Sequence, residues 1–259
     1  MNQLLDMLQT MSLAQAALWA LVINIAQFLL ALGVGHLLLI LYKQKPTSPP
    51  PDPISPAEVV LAGACVVLNA LVLFVGTILW RDSLIQVRRE VDWRVLLDVV
   101  VLFFAMDFAM YVLHRAAHQR WLFPLIHATH HRYENPRPLT LFVLNPFEVM
   151  SFGLLWLVLL VVYPSSALGI VIYLLFNLVF GLLGHLGVEP MPGAWLAIPV
   201  ARQVSTSTFH AEHHRDKAHN FGFYTLIWDR LFRTLSPAYE PDFDGAQVTD
   251  MELAPAPRR

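Results

Sequence analysis

Long apolar runs constrain this chain before anything else does. Residues 12–42, 57–80 and 95–113 carry almost no charge, and as helices each is long enough to cross a hydrocarbon core of about 30 Å. Inside lipid every backbone N–H and C=O must be satisfied by the protein, which leaves helices or closed barrels, and uninterrupted runs of this length select helices. With 56% hydrophobic residues, 14% charged residues and a mean hydropathy of +0.54 over 259 residues, the expected fold is all-α, a polytopic membrane helical bundle. Two more apolar runs, 149–163 and 167–186, flank Pro164-Ser165-Ser166. They either cross fully or dip in as a re-entrant hairpin. In both cases their outer ends return to one side.

The chain divides into three parts. Residues 1–94 hold two spans, the proline-rich linker 46–53, which is too rich in proline for helix, and an interfacial segment. In that segment, 81–94, charges alternate with Leu84, Ile85, Val87, Val91 and Trp93, a pattern that suits a helix lying in the membrane surface. Residues 95–235 carry the polar chemistry. Residues 236–259, rich in prolines and acids, read as a weakly ordered tail. The first residues lack a positive n-region and a cleavage site, so the first span is expected to be retained as an anchor. His36 stands alone in that span and reads as a packed or hydrogen-bonded histidine. The aromatic stretch 221–232 is expected at the headgroup level.

Eight of the 11 histidines fall in two short stretches. His114 and His118 share a helical stripe with Asp107 and Tyr111. His127, His130 and His131 follow, and His210, His213 and His214 come much later. Imidazole binds metals through its neutral form, and titratable groups at a membrane mark function. A lone H-x-x-x-H is more often a solvated pair, but three banks in one membrane chain point to a metal site. Eight nitrogens exceed what one ion takes, which predicts two ions with roughly four or five ligands each. Gly181, Gly184 and Gly187 flank His185, which on spacing alone is either carried up to the cluster or incidental to a packing face. Asp107, buried on any spanning arrangement, is a candidate to orient a ligand histidine or hold metal through water; Asp98 reads as a helix-entry charge.

Net charge −2 and a pI near 6.6 give no basic field for nucleic acid. The lone Cys65 excludes an internal disulfide, a cysteine zinc finger and an iron–sulfur cluster. With all histidine loops on one side, that side holds thirteen of the 17 Lys and Arg residues and leaves Arg81, Arg88, Arg89 and Arg94 for the other. The positive-inside rule then places a histidine-rich helical cap, holding a dimetal site, in the cytoplasm, with a bacterial inner membrane favoured over the endoplasmic reticulum.

At these residues the sequence resembles the sterol desaturase and fatty acid hydroxylase superfamily of membrane non-haem iron oxygenases. Its histidine boxes H-x3-H, H-x2-H-H and H-x2-H-H match His114/His118, His127/His130/His131 and His210/His213/His214. Asp107-x3-Tyr111-x2-His114-Arg115, Asn220-Phe221-Gly222 and Trp228-Asp229-Arg230-Leu231-Phe232 look like its flanking signatures, so the resemblance covers about 95–235. His185-Leu186-Gly187 with Glu189 looks like a further H-x-G position of many relatives, which places His185 among the ligands. Asn145-Pro146-x-Glu148 departs from the His-Pro-x-Glu of many relatives. His219 matches no ligand position and reads as a surface residue.

The resemblance implies a di-iron, O2-dependent lipid hydroxylase or desaturase, with zinc possible as a substitute in purified protein. Asp107, Tyr111 and Glu212 are then candidates for catalytic support around the ligands. No G-x-G-x-x-G in a strand-to-helix setting, flavin signature or cysteine cluster is present, so electrons must come from an external donor such as a ferredoxin or a cytochrome b5-like protein. The alternatives are a haem-binding membrane electron carrier and a non-catalytic family member. Visible absorbance separates the first: the oxygenase reading expects no Soret band from purified protein, and a strong one would favour the carrier.

Overall fold

The computed structural model describes residues 2–252. A short helix, α1 (Asn2–Thr10), precedes α2 (Leu13–Leu41) and α3 (Pro56–Arg81). Ser12 and Ser55 start the two long helices with reciprocal capping boxes through Gln15 and Glu58, satisfying backbone donors that a helix start leaves open. Next come a short strand β1 (Val87–Arg88), α4 (Arg94–Ala117), one turn of helix α5 (Phe123–Ile126), α6 (Pro146–Val162), strand β2 (Ser165–Ser166) and α7 (Ala167–Gly184). The cap adds α8 (Ser207–Arg215), α9 (Ile227–Leu231) and α10 (Tyr239–Glu252). Among the described residues, α2, α3, α4 and α7 are long and apolar enough to cross a membrane, and α6 is a shorter apolar helix.

The α6–α7 hairpin runs the length of α4. Its tip, β2, pairs in parallel with β1 in the α3–α4 connection, far from the histidines. Its open end returns to them, with Glu148 bonded to His127 and His185 capping α7. At 17 and 18 residues these helices span roughly 26 Å, close to a hydrocarbon core. The pair therefore packs beside α4 with its tip at one end and its open end at the histidines. A core of Val72, Leu102, Met106, Leu157 and Tyr173 joins α3, α4, α6 and α7.

The structure corrects several expectations. Between α3 and α4 the chain turns at Ser83 (φ 63°) and runs into β1 rather than forming a helix, with Arg81, Arg88 and Arg89 committed to other elements. Arg88 is paired with the fully buried Asp98 at 2.6 Å, and Asp98 also accepts from Tyr163 Oη and the Ser166 amide. Asp98 thus ties the hairpin tip to α4 rather than merely marking a helix entry. Arg81 and Arg89 reach Leu8 O and Asp6 in α1. His36 is exposed on α2, neither packed nor buried as expected. The supposed weak tail forms α10, because Tyr239 and Phe243 are fully buried against Phe209 and Leu226; residues 253–259 lie outside the described residues.

The aromatic stretch 221–232 is only partly at the surface. Leu231 and Phe232 are exposed, whereas Tyr224 inserts between α4 and α7, where its hydroxyl meets Tyr173 Oη at 2.9 Å and Asn177 Oδ1 at 2.6 Å and its ring lies 4.9 Å from Phe103. Non-helical backbone at that depth is tolerated only when the protein satisfies it. Asp107 does so, accepting from the Tyr224 amide (2.8 Å), the Thr225 amide (3.2 Å), Thr225 Oγ1 (2.5 Å) and Trp228 Nε1 (3.0 Å). Asp107→Ala should strand these buried donors and lower unfolding stability by about 3 kcal/mol or more. Thermal unfolding in detergent checks this, and a change below about 1 kcal/mol would contradict the assigned role.

Candidate metal centre

Nine histidines meet at the end of the bundle where α4 ends, α6 begins and α7 ends. Among the described residues their ligand atoms fall into two groups: His114, His118, His127, His131 and His213, and His130, His185, His210 and His214. Within each, the atoms lie within 4.8 Å of one another. The groups do not follow the sequence banks. Neighbouring residues on a helical turn point about 100° apart, so the doublet His130-His131 sends one ring to each group and His213-His214 does the same. His210 and His214, one turn apart on α8, share a group.

Backbone carbonyls and one carboxylate orient the rings. Nδ1 of His114 faces Phe221 O at 2.9 Å, Nδ1 of His185 faces Gly181 O at 2.8 Å, and Nδ1 of His213 faces His219 O at 2.6 Å. Nδ1 of His127 faces Glu148 Oε1 at 2.7 Å. Carbonyl oxygens only accept, so Nδ1 of His114, His185 and His213 carries the proton and those neutral rings are left with a bare Nε2. The Nε2 atoms converge: His114 and His127 approach to 2.9 Å, His131 and His213 to 3.1 Å, and His185 stands 3.2 Å from both His130 and His210. The bare nitrogens of His114, His185 and His213 thus each meet a second imidazole nitrogen in a buried volume, an arrangement that suits a shared cation. Protons do not serve, because burial pushes His131 down to about 3 and His185 down to about 4. An all-nitrogen set with ring orientation fixed from behind fits transition-metal ions.

Local structure explains the placement. Gly187 sits at φ +78° with the Pro136 carbonyl oxygen 2.5 Å from where a Cβ would be, so the turn after His185 requires glycine. A Cβ on Gly184 would press on the His210 ring at 3.3 Å, which keeps α7 and α8 close. Glu189, fully buried, accepts from the Thr208 amide (2.9 Å) and Thr208 Oγ1 (2.7 Å), fixing the start of α8.

The three residues expected to support catalysis have their polar atoms on partners other than the histidines. Asp107 serves the inserted loop rather than a histidine. Tyr111 is buried, its hydroxyl 3.0 Å from Thr234 Oγ1 and its ring stacked on Phe232. Glu212 accepts from Ser236 Oγ and pairs with Arg215, which also reaches Asp242, so it joins α8 to α10. Sequence reasoning missed Glu148 and Glu189 as positioning groups. The available signal was a carboxylate just after Asn145-Pro146 at a membrane helix start and another two residues beyond Gly187. His219 keeps a half-buried ring on Asp216 and contributes its carbonyl.

Fold and site together define a polytopic helical membrane protein with a histidine-built candidate metal centre. Residues 99–234 match the fatty acid hydroxylase family, more than half of the chain, and the chain belongs to that family. Similar proteins include the very-long-chain aldehyde decarbonylase GL1-4 of Oryza sativa subsp. indica, 27% identical over 71% of this chain and 31% of its own length. GL1-1 of the same source is 33% identical over 48% of this chain and 21% of its own length. The Delta(7)-sterol 5(6)-desaturase of Leptosphaeria maculans is 26% identical over 48% of this chain and 33% of its own length. The chain thus spans about a third or less of these relatives. No solved structure matches it.

The depressed histidines set a pH dependence. In the unfolded chain they titrate near 6.5, whereas in the metal-free fold His185 stays neutral down to about 4 and His131 to about 3. The unfolded state therefore binds more protons between those limits, and stability falls as pH falls through 6.5 towards 4. The melting temperature of chelator-treated protein should be flat above pH 7 and drop steeply below 6.5. A flat profile from 7 to 5 would contradict the buried neutral rings.

Proposed function

We propose that the chain is a membrane-bound, O2-dependent di-iron oxidoreductase that hydroxylates or desaturates a lipid. The observation that carries this is the pair of buried histidine groups at the membrane end of an apolar bundle. The nine histidines would hold two iron ions, which supply the reductive activation of O2 that attack on an unactivated C–H bond requires. Zinc at the same nitrogens would bind without redox chemistry. The carbonyls of Gly181, His219 and Phe221 hold the rings of His185, His213 and His114 in the tautomer that turns a bare Nε2 inward, and Glu148 orients the ring of His127. The apolar spans around α4, α6 and α7 keep bulk water from the reacting carbon.

Lipid as substrate is supported by the relatives, whose names specify very-long-chain aldehydes and a sterol. The electrons would come from a separate ferredoxin or cytochrome b5-like protein. A haem carrier is disfavoured because Nε2 atoms 2.9–3.2 Å apart leave no slot for a porphyrin between paired rings. A cytoplasmic site is supported by charge, because among the described residues the connections at the histidine end carry more Lys and Arg than the opposite end, which holds Arg81, Arg88, Arg89 and Arg94.

Lipid mass spectrometry of host membranes with and without the protein should reveal products heavier by one oxygen or lighter by two hydrogens. His130→Ala and His213→Ala each remove one ring from a different group, and both should abolish product while the protein still inserts. Turnover retained in both variants would sink the assignment.

A further inference from the structure

We propose that the end of a hydrocarbon chain reaches the five-histidine group directly from the bilayer, through the gap between α4 and α6 beneath α5, and that Ser151 and Ile126 set how much of it fits. The proposal rests on the lipid-oxidation reading and gives it an entry direction. A cavity of about 40 Å³ lies in that gap. Its walls are Leu113 and Ala116 of α4, Leu122 and Ile126 at α5, and Ser151 and Phe152 of α6, and its inner end is formed by His114, His127 and Glu148. Both histidines belong to the five-membered group. No member of the four-membered group lines the cavity, so the two groups differ in their access to an apolar guest.

The chemistry of the wall selects the guest. Glu148 Oε1 is already taken by His127 at 2.7 Å, and the Ser151 hydroxyl donates to Phe147 O at 2.7 Å. One polar atom of the lining residues, Glu148 Oε2, has no hydrogen-bond partner among the described residues. Leu113, Ala116, Ala117, Leu122, Ile126 and Phe152 nevertheless make up most of the wall, so a polar headgroup would give up water for a largely apolar surface while a methyl or methylene group gives up none. Val112, Leu125 and Phe147, the chain neighbours of the lining residues Leu113, Ile126 and Glu148, are 49%, 64% and 71% exposed, a surface suited to acyl chains. A cavity of this volume admits roughly one methyl or methylene group, given about 30 Å³ for a water in the liquid. The chain terminus, not its polar end, is therefore what reaches the histidines.

The test uses the full chain, loaded with iron, in phosphatidylcholine nanodiscs, with a long-chain aldehyde whose terminal carbon carries a photoreactive diazirine. Irradiation and peptide mass spectrometry should place the label on Leu122, Ile126 or Phe152. Ser151→Phe, which fills the cavity from α6, should reduce both that label and product formation at least about ten-fold with metal content unchanged. Ile126→Phe fills it from α5 and should do the same, while Ile126→Ala should keep or increase the label. Label scattered over the outer faces of the spans, or wild-type labelling and turnover in both filled variants that retain metal, would overturn the entry route. So would slower O2 consumption in them with unchanged labelling, which would make the cavity a path for dioxygen alone. Labelling as expected without any oxidised lipid would leave the route standing and remove the oxygenase reading instead.

Discussion

Imidazole nitrogens pressed together in a buried volume are the interaction on which the rest of this structure depends. At His114 and His127 two ring nitrogens face each other across 2.9 Å, and similar approaches recur at His131–His213 and His130–His185. Carbonyls behind the rings take the Nδ1 protons of His114, His185 and His213 and leave their Nε2 atoms bare and turned inward. Those contacts come from distant parts of the chain: Phe221 O serves His114 and His219 O serves His213. Cap folding and cation binding are therefore linked, since a site absent from the unfolded chain contributes its binding free energy to folding.

The remaining buried carboxylates show how polar groups are accommodated in an apolar bundle. Asp98 gathers Arg88, Tyr163 and the Ser166 amide at the end remote from the site. Asp107 gathers the amides of Tyr224 and Thr225 and the side chains of Thr225 and Trp228 about midway along α4. Each charge serves backbone that would otherwise lack partners in lipid. Asp229 repeats the device nearer the site, accepting from the amides of Phe221 and Gly222. Because Phe221 O in turn orients His114, Asp107 and Asp229 act on the rings of the candidate metal centre through the inserted loop, without touching them.

The two histidine groups are unequal in their surroundings. The five-membered group borders an apolar gap towards the lipid and includes the ring held by Glu148. The four-membered group is enclosed by α7 and α8, with Gly184 permitting the close approach of His210. Such asymmetry suits a division in which one group faces the substrate and the other is screened from it.

Much of this was legible in the sequence, for physical reasons. Apolar length fixed the spans, since only helices satisfy backbone in lipid, and Ser12 and Ser55 marked where two of them start. The histidine spacing identified the residues of the centre, and the parity of the spans put all three banks on one side. Sequence did not reveal which ring joins which group, because that depends on how helices from different regions face one another. Asp107, Tyr111 and Glu212 were drawn towards the metals by proximity along the chain. Their partners Thr225, Thr234 and Arg215 become visible only when the loop, the cap and α10 are folded against α4 and α8. Composition and spacing by themselves determined a membrane helical bundle with a histidine centre. Tertiary structure alone decided the two-group partition and the role of each carboxylate, because a hydrogen bond is settled by a few ångströms of approach that no linear pattern records.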